Sequence, residues 1–256
     1  MTYIASKEFL LEVEKGNVPG HEIWHMSGRA VVANAGWRVV SDQIITGAAP
    51  IPEHLTTAVK MRVKAGNVNN DVAGTHARKI TVTGLDSNFL LVTEDLVTAG
   101  ASAGADGTTD FIRVIRARVK EVGTYGLVNT GALIIEDVAA AMDMVTISSL
   151  VGSTLNGMFT IPASRKGYVL NMHAQVGTAG DCRLLAFQRK QADDSSSPVA
   201  GKQVLYYAET VGGPLTWDPE GSIVLPEKTD FWFETFGAAA STIQLTCSIL
   251  LINDGS

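Results

Sequence analysis

Short segments in which apolar and polar residues alternate, separated by glycine-rich turns, are the feature that most constrains the fold of this chain. Residues 57–63 and 78–83 alternate strictly, which is the period of a strand with one buried face. Similar segments recur along the chain at 89–97, 111–122, 127–136, 144–148, 157–161, 167–176, 182–190, 203–209, 222–225, 231–236 and 242–252. Many short strands with regular turn signals predict an all-β protein made of β-sandwiches.

The N-terminal part of the chain has a different pattern. Residues 5–15 predict a helix that Ser6 caps and Gly16 ends. The following proline- and glycine-rich stretch has little periodicity and reads as an extended arm with short strands. We therefore predict three parts, which are an N-terminal helix and extended arm (1–52), a first β-sandwich domain (53–143) and a second, jelly-roll-like β-sandwich domain (144–256).

Charge and hydropathy exclude several classes of partner. The net charge is −6, and charged residues make up 18% of the chain. An acidic chain of this kind is a poor match for nucleic acid, since neutralising phosphates needs a basic surface. No apolar run reaches the roughly 18 residues of a membrane span, and the acidic N-terminus does not resemble a signal peptide. We expect a soluble protein made in the cytoplasm, without a cofactor.

Two cysteines, Cys182 and Cys247, lie in apolar strand-like runs. Two cysteines do not make a disulfide framework, so free buried thiols are one prediction. A single disulfide between two strands is the alternative that the sequence leaves open.

The pentapeptide His-Glu-Ile-Trp-His at 21–25 matches the H-E-x-x-H pattern of zinc hydrolases. That pattern works on a helix, where both imidazoles face one metal ion and the glutamate polarises a bound water. Here Pro19 and Gly20 precede it and Gly28 follows closely, which leaves little room for a helix. We predict a turn or short strand in which Trp24 is anchored by burial, and no enzymatic site.

The aromatic run 231–236 offers a different possibility. On a strand, Trp232 and Phe236 share one face with Glu234, whereas Phe231 and Phe233 share the other. Such a face fits a core or a subunit contact, where tryptophan is enriched. It also fits stacking on a sugar ring, as in a carbohydrate-binding module.

Three segments resemble a group of structural proteins from the virions of tailed bacteriophages. Residues 19–29 resemble the group's G-H-x-I-x-x-x-F-G-R opening, 69–86 its D-x-A-A-G-T-G-A-R-x-V-x-V-x-G-L-D stretch, and 158–170 its Y-T-I-P-A-G-K-T-G-Y-L-L motif. The sequence departs from these patterns where it has Ser27 in place of an aromatic residue and His76 and Ser164 in place of glycine.

The resemblance implies a virion structural protein with neither catalysis nor cofactor. We predict a capsid decoration (cement) protein, a homotrimer that binds the major capsid protein or another virion protein and is located in the virion. A head–tail or tail ring component and a carbohydrate-binding receptor module are the alternatives. The residues predicted to make contacts are His21, Ile23, Trp24, Arg29, Trp37, Trp232 and Phe236.

Overall fold

A computed structural model of the chain describes residues 6–32, 37–41, 54–219, 222–237 and 241–255. One helix, α1 (Ser6–Glu14), precedes the strands, as the sequence predicts. The strands are β1 (His21–Val32), β2 (Trp37–Val39), β3 (Val59–Ala65), β4 (Ala77–Leu85), β5 (Leu91–Val97), β6 (Asp110–Phe111), β7 (Arg113–Val122), β8 (Leu133–Asp137), β9 (Asp143–Ile147), β10 (Met158–Thr160), β11 (Arg165–Arg189), β12 (Gln203–Trp217), β13 (Ile223–Leu225), β14 (Asp230–Gly237) and β15 (Ser241–Asn253). The predicted all-β class is confirmed.

The chain forms two compact units. The central unit contains residues 28–30 and 39–158, and the C-terminal unit contains 1–27, 31–38 and 159–256. The central unit therefore extends beyond the predicted domain boundary at 143/144. The reason is that β9 pairs antiparallel with β8, which places Ile147 opposite Leu133 and keeps this strand in the central unit.

The central unit is a sandwich of two antiparallel sheets. One has the strand order β6-β3-β8-β9 and the other the order β5-β4-β7. Their shared core takes Met61 and Ile135 from the first sheet and Ile80, Val82 and Ala117 from the second. Because apolar and polar residues alternate along these strands, each sheet has one apolar face, and the two apolar faces pack against each other.

The C-terminal unit is organised around β11, which continues through the glycines that suggest a break between 176 and 182. Its first half pairs with β15, with Val176 opposite Ile243. Its second half pairs with β14, with Arg183 opposite Phe236. Along the other edge it pairs with β12 and β13. The main path of this sheet is β1-β15-β11-β14-β10, and β2 pairs with β14.

Part of the predicted extended arm is a strand of this sheet. Residues 21–32 form β1, which lies next to β15. Trp24 and Met26 are buried, and the Trp24 ring packs on Phe159 with 5.0 Å between centroids. Burying a tryptophan contributes several kcal/mol of stability. Residues 21–27 of this strand therefore belong to the C-terminal unit and contribute to its core, whereas residues 28–30 belong to the central unit.

Cys182 and Cys247 are both buried and both free, so the structure contains the free thiols and not the disulfide. The Sγ atom of Cys182 lies 2.8 Å from the Thr235 hydroxyl oxygen. Burial raises the pKa of both thiols, because the thiolate would lose its hydration. Neither thiol is a candidate nucleophile, since nucleophilic cysteines have lowered pKa values.

Glu136 is a buried carboxylate of the central unit that has two cationic partners. Its carboxylate accepts hydrogen bonds from Arg62 Nε and Lys64 Nζ, each at 2.7 Å. Burial acts to raise the pKa of Glu136, but the hydrogen bonds and charges of the two cations outweigh it, and the net direction is downward. The ionised form is therefore the one that the fold stabilises.

We expect Glu136→Gln to lower the free energy of unfolding by about 2 kcal/mol at pH 7, because the variant loses the charge that both cations bind. The loss stays below that of a fully buried ion pair, since Arg62 and Lys64 are partly exposed and regain water. Since the pKa of Glu136 is lowered in the folded state, its contribution is complete above about pH 4.3, the ordinary glutamate value, and is lost as the pH falls below it. Below this pH, the difference in the free energy of unfolding between wild type and Glu136→Gln should become smaller. Urea unfolding at several pH values measures this difference. Glu121→Gln, which breaks an exposed pair with Lys79 in the same unit, is the control and should change stability by less than about 0.5 kcal/mol.

Candidate interaction surface

The pentapeptide at 21–25 lies on strand β1 and not on a helix. In a strand, residues four apart point to the same side but are separated by about 13 Å. Both imidazoles therefore cannot bind one metal ion. The flanking proline and glycines predict that this segment is not helical, and it is a strand. Within the described ranges, no three histidine, cysteine, aspartate or glutamate side chains are grouped closely enough to hold a metal ion.

The polar atoms of this motif hold the strand in place. The Nδ1 atom of His21 is 2.9 Å from the Pro19 carbonyl oxygen, and its ring meets Phe9 edge-on. Glu22 accepts a hydrogen bond of 2.6 Å from Arg165 at the start of β11. The glutamate that would polarise water in a hydrolase is thus bound in an ion pair.

His25 lies between two hydrogen-bonding partners. Its Nε2 atom is 2.6 Å from Glu14 on α1, and its Nδ1 atom is 3.0 Å from the Ser248 hydroxyl oxygen on β15. Glutamate, histidine and serine in this order suggest a catalytic triad, but an active triad works in a water-excluded site beside oxyanion donors. The His25 side chain is 62% exposed. These hydrogen bonds instead hold α1 against the sheet.

Trp232 is buried, which removes it from any sugar-stacking surface. It is 3% exposed, and its ring stacks on Phe187 with 5.7 Å between centroids. Its indole Nε1 donates a 2.8 Å hydrogen bond to Glu234. Lys202 contacts the same group of side chains, because its Nζ lies 2.7 Å from the Glu234 carboxylate and 3.9 Å from the centre of the Phe187 ring. Trp232 therefore lies in the core, which is one of the positions that the sequence leaves open, and it does not share a sugar-stacking surface with Phe236.

Two of the predicted contact residues, Trp37 and Phe236, do come together. β2 pairs with β14, and the two rings lie 5.4 Å apart at an interplanar angle of 53°. Trp37 remains 37% exposed, and Phe236 is partly exposed. A tryptophan that is packed on one side and open on the other is typical of protein contact surfaces.

Charged and aromatic residues of β11 and β12 extend this surface. Arg183 lies opposite Phe236 in the β11–β14 register, and its guanidinium carbon is 5.7 Å from the centre of that ring. Across the other edge of β11, Arg183 Nε is 2.8 Å from Glu209 on β12. The Tyr207 hydroxyl donates a hydrogen bond to Glu209, which raises the pKa of the phenol. We call Trp37, Phe236, Arg183, Glu209 and Tyr207 the aromatic stripe.

Sequence reasoning found two of the five stripe residues and missed three. Arg183 carries a signal, because it is a charge within the apolar run 182–187 and must point away from the core. Tyr207 and Glu209 carry no distinctive local pattern. Their place in the stripe depends on the β11–β12 register, which sets Tyr207 opposite Leu185.

The remaining predicted contact residues lie outside the stripe. Trp24 is in the core of the C-terminal unit. His21 and Ile23 are partly buried on β1. Arg29 belongs to the central unit and is also partly buried. The structure thus does not bring the seven predicted residues together into one surface.

Comparisons with known proteins add little to this description. No protein-family model matches the sequence, and no curated protein matches it. Three solved structures align with 97% of this chain and 78% of their own chains. They are described as infectious bursal disease virus Gt strain (10% identity, TM-score 0.22), infectious bursal disease virus Gx strain (12%, 0.21) and infectious bursal disease virus VP2 subviral particle (10%, 0.18). TM-scores this low carry no argument about this chain.

A pair of tryptophan variants separates core from surface in the C-terminal unit. We expect Trp232→Ala to lower the free energy of unfolding by about 3–5 kcal/mol, because it opens a cavity and removes one of the hydrogen-bond donors to the buried Glu234 carboxylate. Trp37→Ala should lower it by no more than about 1 kcal/mol, because this ring is open to solvent on one side. Urea unfolding followed by circular dichroism measures both, and equal losses would contradict the assignment of Trp37 to the surface.

Proposed function

We propose that this chain is a structural component of a virion and acts by packing against other protein chains. The more specific form of the proposal is a capsid decoration protein that binds the assembled shell through the aromatic stripe. The observation that carries it is the stripe itself, since tryptophan, tyrosine and arginine provide most of the binding energy at protein interfaces. The three sequence segments that resemble tailed-phage virion proteins support the same role.

The stripe is built to bind without rearranging. Its residues lie on four paired strands, so their backbones are fixed by the sheet. Arg183 is held between Phe236 and Glu209, and Tyr207 is held by Glu209. Side chains that are already ordered lose little entropy on binding. The charges of Arg183 and Glu209 offset each other, so the partner needs apolar and hydrogen-bonding groups more than net charge.

Binding only to the assembled shell would stabilise the shell by mass action, because the ligand favours the state that it binds. This role needs neither catalysis nor a cofactor. A ring component of the head–tail junction or the tail would use the same kind of surface. The two roles differ in the number of copies per particle, which is in the hundreds for a decoration protein and about six to eighteen for a ring of cyclic symmetry.

Stripe variants test the proposed contact. Purified Trp37→Ala and Phe236→Ala proteins are added to particles that lack this chain, and the bound protein is measured after sedimentation of the particles. Each variant should bind at least about tenfold more weakly than wild type, which is the usual loss at an interface anchor. Val224→Ala, at an exposed apolar position on β13 of the same unit, is the control and should bind like wild type.

Normal binding by both folded stripe variants would contradict a shell contact at this surface.

A partly exposed Trp37–Phe236 pair also fits stacking on a sugar ring, which keeps a carbohydrate-binding role as the second candidate. A glycan array with the same proteins distinguishes the two. The second proposal would replace the first if wild type binds a glycan but not the particle, and if Trp37→Ala does not bind that glycan.

A further inference from the structure

The central unit carries an apolar surface that the proposed stripe does not use. Three loops form it, namely 66–76 between β3 and β4, 123–132 between β7 and β8, and 148–152 after β9. We call these three loops the loop platform. Its large exposed apolar side chains are Val68, Val72, Tyr125, Leu127, Leu150 and Val151.

Two fully buried asparagines join the three loops. Asn70 donates a hydrogen bond to the Thr130 carbonyl and accepts one from the Thr130 amide at 3.1 Å. Asn129 donates to the Ser148 carbonyl at 2.9 Å and accepts from the Gly152 amide at 3.0 Å. Each asparagine is 0% exposed, so its amide group has to find its hydrogen-bond partners within the protein.

Backbone hydrogen bonds complete the connections between the loops. The Gly123 amide donates to the His76 carbonyl at 2.9 Å, and the Thr124 amide donates to the Thr75 carbonyl at 2.8 Å. The Leu150 amide donates to the Asn129 carbonyl at 3.2 Å. The apolar side chains thus project from a fixed support, and a partner would bind them without first ordering the loops.

The loop platform is almost free of charge. Asp71 is the only aspartate, glutamate, lysine or arginine within its three loops, although charged residues make up 18% of the chain. A charged partner gains no electrostatic complementarity from such a surface. Two copies of this chain each carry a net charge of −6 and repel each other at most contacts, but not where both surfaces are neutral.

We propose that the loop platform is the contact through which one copy of this chain binds a second copy. An uncharged apolar surface is complementary to itself, which is what a symmetric contact between identical chains requires. Tyr125 in the 123–132 loop is fully exposed and supplies the kind of side chain that is enriched at such contacts.

Sedimentation velocity of the full chain over a range of concentrations tests this inference. Wild type should associate as the concentration rises. Tyr125→Glu and Leu150→Glu each place two like charges in a symmetric contact and should raise the dissociation constant by at least about tenfold. Val224→Glu adds the same charge at an exposed apolar position of the C-terminal unit and should associate like wild type.

Circular dichroism and thermal unfolding check that each variant is folded. If a glutamate variant fails to fold, Tyr125→Ser and Leu150→Ser replace it, since both side chains are largely in solvent and their loss leaves the core unchanged. A wild-type protein that remains monomeric at its solubility limit would overturn the inference. An equal weakening by Val224→Glu would overturn it as well, because the effect would then come from net charge and not from the loop platform.

Discussion

Strand β11 is the element on which the C-terminal unit depends, because it is hydrogen-bonded along both edges over most of its length. One edge carries β15 and then β14, and the other carries β13 and then β12. A slip of one residue along either edge would exchange the inner and outer faces of the sheet. Leu184 would then face outward and Arg183 inward, which the cost of burying an unpaired charge prevents.

Buried carboxylates reinforce the registers that the apolar side chains favour. Glu234 is held by Lys202 and Trp232, and Asp230 accepts hydrogen bonds from Thr160 and Arg189. Glu136 plays the same part in the central unit with its two cations. Because an unpaired buried carboxylate costs several kcal/mol, each of these residues is satisfied only when its strand neighbours are correctly placed. A chain with few charges therefore uses some of them to specify strand pairing.

The two proposed contact surfaces have different chemistry and lie on different units. The aromatic stripe combines rings with an offset pair of charges, which suits recognition of another protein. The loop platform is neutral and apolar, which suits contact between identical chains. Both are supported by ordered backbone, in one case by paired strands and in the other by Asn70 and Asn129.

The all-β class and the position of most strands follow from the sequence alone, because alternation directly records which face of a segment is buried. The helix at 5–15 follows from its capping residue and helical apolar spacing. The proline and glycines that flank 21–25 predict a segment that is not helical, which the structure confirms. The folded chain was needed to show that β1 belongs to the sheet and that β11 is one strand. It was also needed to show that Phe187 and Lys202 cover Trp232, and that Arg183 contacts Phe236 and Glu209. Local periodicity reports burial but not the partner that causes it. Strand partners lie far apart in sequence, and their choice depends on the packing of the whole unit.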